Sequence, residues 1–341
     1  MSKQLKPYLV DVPVRVQVWI RPECQRKQFE VLKQARPSIM FLCSDGGRNE
    51  KEWAAIRENR AMFDNEIDWE CKIYKLYETE NKGLYGMGKK MNELIWSNAD
   101  RCVFLEDDMV PSVSYFSYCA EVLEKFKDDE RIVAVNGMNY MGIYEDVQAD
   151  YFFTRYGAIW GLATWRRVVQ QKNDFSYATD SYVMNLLLKN AKKSHGLADQ
   201  IVGYAKGELV NGHSPGGEFW YGLFVYSHNQ LFVSPRKNMI SNIGCTEDGA
   251  HATEYKKLPK GIRRVFNMET YELDHQIKHT NYVIPDYDYE KYVDRVMGWN
   301  HPFIAFYRKI EGVLRRLYYG DGKIMFKKLI RKIKGEKRYE K

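Results

Sequence analysis

Val103-Phe104-Leu105-Glu106-Asp107-Asp108 is an apolar run that leads directly into three carboxylates. Adjacent acids at the end of a buried strand repel one another, and the arrangement is costly unless a cation or several hydrogen-bond donors compensate. A hard divalent ion, Mn²⁺ or Mg²⁺, would do so. One or two carboxylates would hold it, while water and the oxygens of a nucleotide diphosphate complete its shell. The same three residues would equally serve as a solvated acidic turn or a helix cap, so the elements around them have to decide.

Those elements alternate. Val14 to Ile20 reads as a valine-rich strand, followed by a turn at Arg21-Pro22 and a helix over Gln25 to Gln34. Ser38 to Cys43 is a second strand ending in Ser44-Asp45-Gly46-Gly47, before a helix over Glu50 to Phe63. A third strand, Glu70 to Leu76, precedes a helix over Gly88 to Ser97, and Cys102 to Leu105 is the fourth strand. Repeated strand-helix alternation predicts a mostly parallel sheet covered by helices. Ligands of such sheets sit at the carboxyl ends of the strands, where Arg21, Asp45 and the acidic triplet would line one edge. Beyond the triplet, Ser114 is placed to cap a helix carrying Phe116, Ala120, Leu123 and Phe126 at helical spacing, and Arg131 to Val135 returns as a strand. Tyr151 to Tyr255, rich in Gly, Trp, Tyr and His, reads as loops around a site more than as a second packed domain.

In this order the motifs resemble the nucleotide-sugar transferases of the GT-A fold, in particular bacterial family-2-like enzymes and the N-acetylglucosaminyltransferase I group. The resemblance rests on Ile20-Arg21-Pro22, Ser44-Asp45-Gly46, Lys82-Gly83-Leu84, Leu105-Glu106-Asp107-Asp108 with Pro111 and Tyr115 to Tyr118 after it, Trp160-Gly161-Leu162-Ala163-Thr164-Trp165, and Pro235 to Gly244. It implies an α/β fold, a GT-A type Rossmann-like mostly parallel sheet flanked by helices, with a C-terminal helical appendage. It implies a metal-dependent, inverting transfer of a hexosyl or N-acetylhexosaminyl group from a nucleotide-diphosphate sugar, with Mn²⁺ or Mg²⁺ as cofactor.

By that resemblance Asp108 is a direct metal ligand, Asp107 meets ribose or metal, and Glu106 meets the donor sugar or supports the site. Arg21 and Asp45 would face the nucleoside; otherwise Arg21 is a surface residue before a proline turn, and Asp45 stabilises its Asp-Gly turn. His251 falls where related transferases carry a histidine that reaches back to the metal or diphosphate, and a neutral imidazole suits Mn²⁺. Glu218, in Gly216-Gly217-Glu218-Phe219-Trp220, matches an acidic residue beside tryptophan at a helix start, the place of the catalytic base. The family often has Asp there, and a glutamate also serves as a plain helix cap. Trp160 would pack a sugar ring and Trp165 the core.

Bulk properties bound the rest. A chain of 341 residues, 45% hydrophobic and 28% charged, can bury a real core. No stretch approaches a membrane span and Met1 to Leu9 does not read as a leader, so the expectation is cytoplasmic. Six scattered cysteines suggest neither a disulfide framework nor a zinc site. Pro302 to Lys341 holds 13 Lys or Arg against 4 Asp or Glu, and a net +9 there within +7 overall leaves the first 301 residues at −2. A nucleic-acid surface spread over the fold is therefore not expected. The tail, with apolar residues at helical spacing, suits either packing on the domain or peripheral contact with an anionic inner-membrane surface, where a lipid-linked or glycan acceptor of cell-surface polysaccharide synthesis would be met. The expected division is a catalytic domain over 1–255 and a basic extension over 256–341. Two other readings stand beside it. A sugar nucleotidyltransferase would want a Gly-rich amino-terminal phosphate loop, which is missing. A catalytically silent carbohydrate- or membrane-binding protein would not need the four acids.

Overall fold

A computed structural model describes residues 5–171, 176–191, 197–205, 217–245, 255–299, 301–323 and 325. The first part runs β1 (Val10–Gln17), α1 (Pro22–Ala35), β2 (Pro37–Ser44), α2 (Glu50–Asn65), β3 (Lys72–Tyr77), α3 (Gly83–Trp96) and β4 (Arg101–Leu105). Then come β5 (Met109–Pro111), α4 (Tyr115–Lys125), β6 (Ile132–Asn136), β7 (Tyr151–Thr154), β8 (Leu162–Trp165) and α5 (Arg166–Val169). The chain continues through α6 (Ser181–Ala191), α7 (Leu197–Ala205), α8 (Gly217–Ser227), β9 (Leu231–Pro235), β10 (Ile240–Asn242), α9 (Lys260–Arg263), α10 (Tyr287–Met297) and α11 (Pro302–Tyr318).

Eight strands form one sheet in the order β3-β2-β1-β4-β8-β6-β9-β7. Six of them point the same way, and β8 and β7 oppose the rest. The expected α/β, mostly parallel, helix-flanked sheet with a C-terminal helix is what the chain forms. Its strands read as expected because both faces are covered: Met40 and Leu42 of β2 and Val103 and Leu105 of β4 enter the main core, while Phe41, Cys43 and Cys102 enter a smaller cluster with Ile95 and Trp96 of α3. The six cysteines form no disulfide.

Three expectations shift. The first strand begins four residues earlier than the valine pattern indicated, because Pro13 is accommodated where the β1–β2 register slips. Ser114 stands at the start of α4, but its hydroxyl accepts the Leu273 amide (2.7 Å) instead of capping the helix. The Glu272 carboxylate takes that place, accepting the amides of Val113 and Ser114 at 2.8 Å each. The described residues between Tyr151 and Tyr255 are far more regular than a loop-rich reading suggests: they supply strands β7 to β10 and four helices. Many of the aromatic residues among them are core, with Phe219, Trp220 and Phe224 of α8 almost fully buried, although Tyr182 is exposed.

The segment after Tyr255 packs on the sheet edge. Asp286 caps α10 by accepting the Asp288 and Tyr289 amides, and Tyr289 lies among Tyr144 and Phe152. A two-pronged ion pair from Arg155 to Glu290 (2.6 Å at its shortest) ties the same helix to the end of β7. No helix among the described residues is long and apolar enough to cross a membrane.

Candidate functional site

Parallel register sets the site. Val16 of β1 lies beside Leu42 of β2 on one side and Leu105 of β4 on the other. The loops after these strands, carrying Arg21, Asp45 and Glu106 to Asp108, therefore leave the same edge of the sheet next to one another, as the sequence predicts.

Two glutamines on the buried side of α1 lock two of those loops together. Gln25 Oε1 accepts the Trp19 amide (3.3 Å), and Gln25 Nε2 donates to Gln28 Oε1 (2.7 Å). Gln28 Nε2 in turn donates to the carbonyls of Glu106 and Met109, both at 2.7 Å. Asn59 of α2 donates to the Trp19 carbonyl (2.6 Å). The triplet sits in a tight turn closed by the Met109 amide on the Glu106 carbonyl (3.1 Å). This relay is fully buried at both glutamines, so its hydrogen bonds are strong and costly to lose. Sequence reading missed it. The available signal was a pair of polar residues three apart on the helix face that also carries Phe29 and Leu32.

Arg21 Nη1 lies 2.6 Å from Asp107 Oδ1 and 3.0 Å from Asp108 Oδ2, and all three side chains are nearly buried. Burial pushes the Asp107 carboxyl up to about 7; Arg21 opposes this, while Asp108 and Glu106 add to it. Its second oxygen, Oδ2, is buried and accepts no hydrogen bond among the described residues. The pair thus holds more negative charge than one guanidinium satisfies, a donor set that suits a hard divalent cation. No group of three His, Cys, Asp or Glu forms a ready cage among the described residues. The fit is to an ion held by one or two carboxylates, with the remaining positions left to ligand oxygens.

The antiparallel ribbon of β5 and β10 closes over this pair. The Ile243 amide donates to the Asp108 carbonyl (2.9 Å), and the Gly244 amide donates to Asn242 Oδ1 (3.0 Å). A Cβ on Gly244 would stand 2.6 Å from Asp108 Cβ and 2.7 Å from its Cγ, so any larger residue must push the carboxylate aside. Gly244→Ala is expected to fold and to lower Mn²⁺ affinity at least about tenfold, since displacement of one carboxylate disrupts the donor set. Titration calorimetry giving an affinity within twofold of the native chain would refute this.

The other expected residues are placed as follows. Glu106 is exposed. Asp45 is buried and its carboxylate is filled by backbone: Oδ1 accepts the Gly46 and Lys82 amides (2.8 and 2.7 Å) and Oδ2 the Gly83 amide (2.9 Å). It ties the β2–α2 turn to the start of α3, and Gly46 is required there because a Cβ would meet Glu80 Cα at 2.7 Å. Trp160 is half-buried against Phe266, ring centroids 5.0 Å apart. Its neighbour Gly161, at φ 62°, donates its amide to Met109 Sδ (3.4 Å), directly behind the acid pair. Trp165 is core, donating from Nε1 to the Leu123 carbonyl (3.0 Å). Glu218 is the second residue of α8, but its side chain lies outside what is described. His251 lies outside the described residues altogether. The structure thus brings together Arg21, Asp107 and Asp108, with Asp45 in the adjoining turn.

No protein-family model matches the chain, and no curated protein does. Solved structures similar to it include the mannosyltransferase PcManGT from Pyrobaculum calidifontis in complex with GDP-Man and Mn²⁺. That likeness is at 9% identity and TM-score 0.36, over 65% of this chain and 72% of that one. Mouse xyloside xylosyltransferase 1, in its apo form, is similar at 13% identity and TM-score 0.36, over 65% and 84% of the two chains. Glucosyl-3-phosphoglycerate synthase from Mycobacterium tuberculosis, in complex with Mn²⁺, UDP and phosphoglyceric acid, is similar at 10% identity and TM-score 0.24, over 40% and 51%.

Proposed function

We propose that the chain is a GT-A type glycosyltransferase that moves a hexosyl or N-acetylhexosaminyl group from a nucleotide-diphosphate sugar to a hydroxyl of a glycan or lipid-linked acceptor, with inversion, in cell-surface polysaccharide synthesis. The observation that carries this reading is the buried Arg21–Asp107–Asp108 cluster at the carboxyl ends of adjacent parallel strands, fastened there by the glutamine relay. In this reading residues 1–255 form the catalytic domain and the extension follows it.

Asp108, with Asp107 beside it, holds the cation, and Mn²⁺ or Mg²⁺ when bound offsets the charge of the departing diphosphate. Arg21, already aimed at both acids, contributes a fixed positive charge on the donor side of the site, and Glu106 and Trp160 border the donor sugar. His251 would be a further ligand of that cation. Glu218 takes the proton of the acceptor hydroxyl as its oxygen bonds to the anomeric carbon and the bond from that carbon to the diphosphate oxygen breaks. The position of Glu218 in the first turn of α8 favours a carboxylate, because the helix amino end carries partial positive charge.

Incubation with a panel of nucleotide sugars, with and without Mn²⁺, tests the reading. Metal-dependent release of nucleoside diphosphate is expected, and Glu218→Gln should slow turnover by about 10²–10⁴-fold with donor affinity unchanged. Donor binding without turnover on any acceptor would favour a silent binding protein. Pyrophosphate release from a nucleoside triphosphate would favour a nucleotidyltransferase.

A further inference from the structure

Helix α11 is docked the wrong way round for a water-soluble surface. At 100° per residue, Phe303, Phe306, Ile310, Val313, Leu314 and Leu317 share one face, and Tyr307 and Tyr318 continue it along one border. An amphipathic helix ordinarily turns such a face to the core. Here the six range from 43% exposed at Ile310 to 87% at Phe303, and no residue of the helix is buried.

What holds the helix is its polar side. Arg308 donates to the Arg295 carbonyl (3.2 Å) and lies over Gly261 and Gly298, where a Cβ would meet its guanidinium. Glu311 accepts the Lys260 amide (3.0 Å) and a bond from Arg315 (2.6 Å), and Lys257 pairs with Asp321 just beyond the helix (2.8 Å). These contacts fix the rotation of α11 and so fix the apolar face outward. A contiguous exposed apolar patch of this kind marks an interaction surface.

Charge selects the partner. Lys309 and Arg316, seven residues apart, flank the apolar face on the border opposite the tyrosines, and the chain from Pro302 onward carries a net +9. A second copy would bring two such segments face to face. The last residues, 326–341, would add eight Lys or Arg against two Glu to the same place. Both coverings concentrate like charge, whereas an anionic bilayer offers apolar depth and negative headgroups together. We propose that α11 docks the protein on an anionic membrane surface, lying in the interface plane with Phe303, Phe306, Ile310, Leu314 and Leu317 inward and its cations at the headgroups. The docking stands apart from the transferase reading; only its use, bringing the site to a lipid-linked acceptor, rests on that reading.

Flotation of the full chain with phosphatidylcholine vesicles, with and without phosphatidylglycerol, tests this. Binding should require the anionic lipid and weaken with added salt. The double variant Phe306→Ser with Leu317→Ser should bind at least tenfold less, and Lys309→Gln with Arg316→Gln several-fold less. Both should keep the native melting temperature, because Phe306, Leu317 and Lys309 are exposed and Arg316 is only half-buried. Nucleoside diphosphate release with a soluble acceptor reports separately on the transferase reading. Vesicle binding unchanged by the apolar pair would overturn the proposal. So would a native dimer, seen by light scattering, that the same pair converts to monomer without any vesicle binding.

Discussion

Asp108→Asn is expected to lower metal-dependent release of nucleoside diphosphate by at least about 10³-fold, while leaving the fold at least as stable as the native chain. Asparagine is nearly isosteric, so it keeps the packing against Gly244, and the backbone bond from the Ile243 amide to the residue 108 carbonyl does not involve the side chain. What changes is charge. Asp107 and Asp108 share one guanidinium in a nearly buried site, and removing one negative charge relieves their mutual repulsion, which adds to burial in raising the Asp107 carboxyl. Stability therefore has reason to rise as cation affinity falls. That opposition separates a functional carboxylate from a structural one, because a structural role predicts loss of both together. Thermal melts with and without Mn²⁺, set beside turnover, check it. Turnover within tenfold of the native chain, still metal-dependent, would remove Asp108 from the role of ligand.

The parts of this arrangement legible in the sequence are those fixed by short-range pattern. Apolar runs ending at Ser44-Asp45-Gly46 and at Glu106 mark strand ends, and strand-helix alternation makes β1, β2 and β4 parallel neighbours. That Arg21, Asp45 and the acids share one edge follows from that topology, whereas the direct pairing of Arg21 with Asp107 and Asp108 does not. Long-range pairing is less visible. The insertion of β8 between β4 and β6 in the opposite direction leaves no local signal in Leu162 to Trp165, a short apolar run that suits either a strand or a buried turn. The capping of α4 joins residues about 160 apart, whereas the local pattern offers only the serine at the helix start. Gln25 and Gln28 escaped because a polar residue on a helix reads as solvent-facing unless its partners are known. For α11, periodicity showed two faces, and only the docked contacts of Arg308 and Glu311 show which one faces out.

Arg21→Met should destabilise the chain by about 3 kcal/mol at pH 8.5 and by distinctly less at pH 6, because it leaves buried acids without their cation. The sign follows from Asp107. Its carboxyl in the folded chain is raised from an ordinary 3.8 to about 7. The contribution of Asp107 to native stability therefore falls as pH climbs from about 4 to about 7 and is level above that, a loss on the order of 4 kcal/mol. Below pH 7 this carboxyl is protonated in the native chain and stays so in the variant, so it adds nothing to their difference. Above pH 7 the native chain ionises Asp107 beside Arg21, 2.6 Å away. The variant has no such cation, its carboxyl moves further up, and the gap between the two widens with pH. Asp107→Asn in the same background should recover most of the loss at pH 8.5. Mn²⁺ should raise the melting temperature of Arg21→Met more than that of the native chain, since the ion and the guanidinium serve the same two carboxylates. Denaturation at both pH values measures this directly. A deficit as large at pH 6 as at pH 8.5, with no recovery from Asp107→Asn, would mean that Arg21 acts through packing and not through the acids.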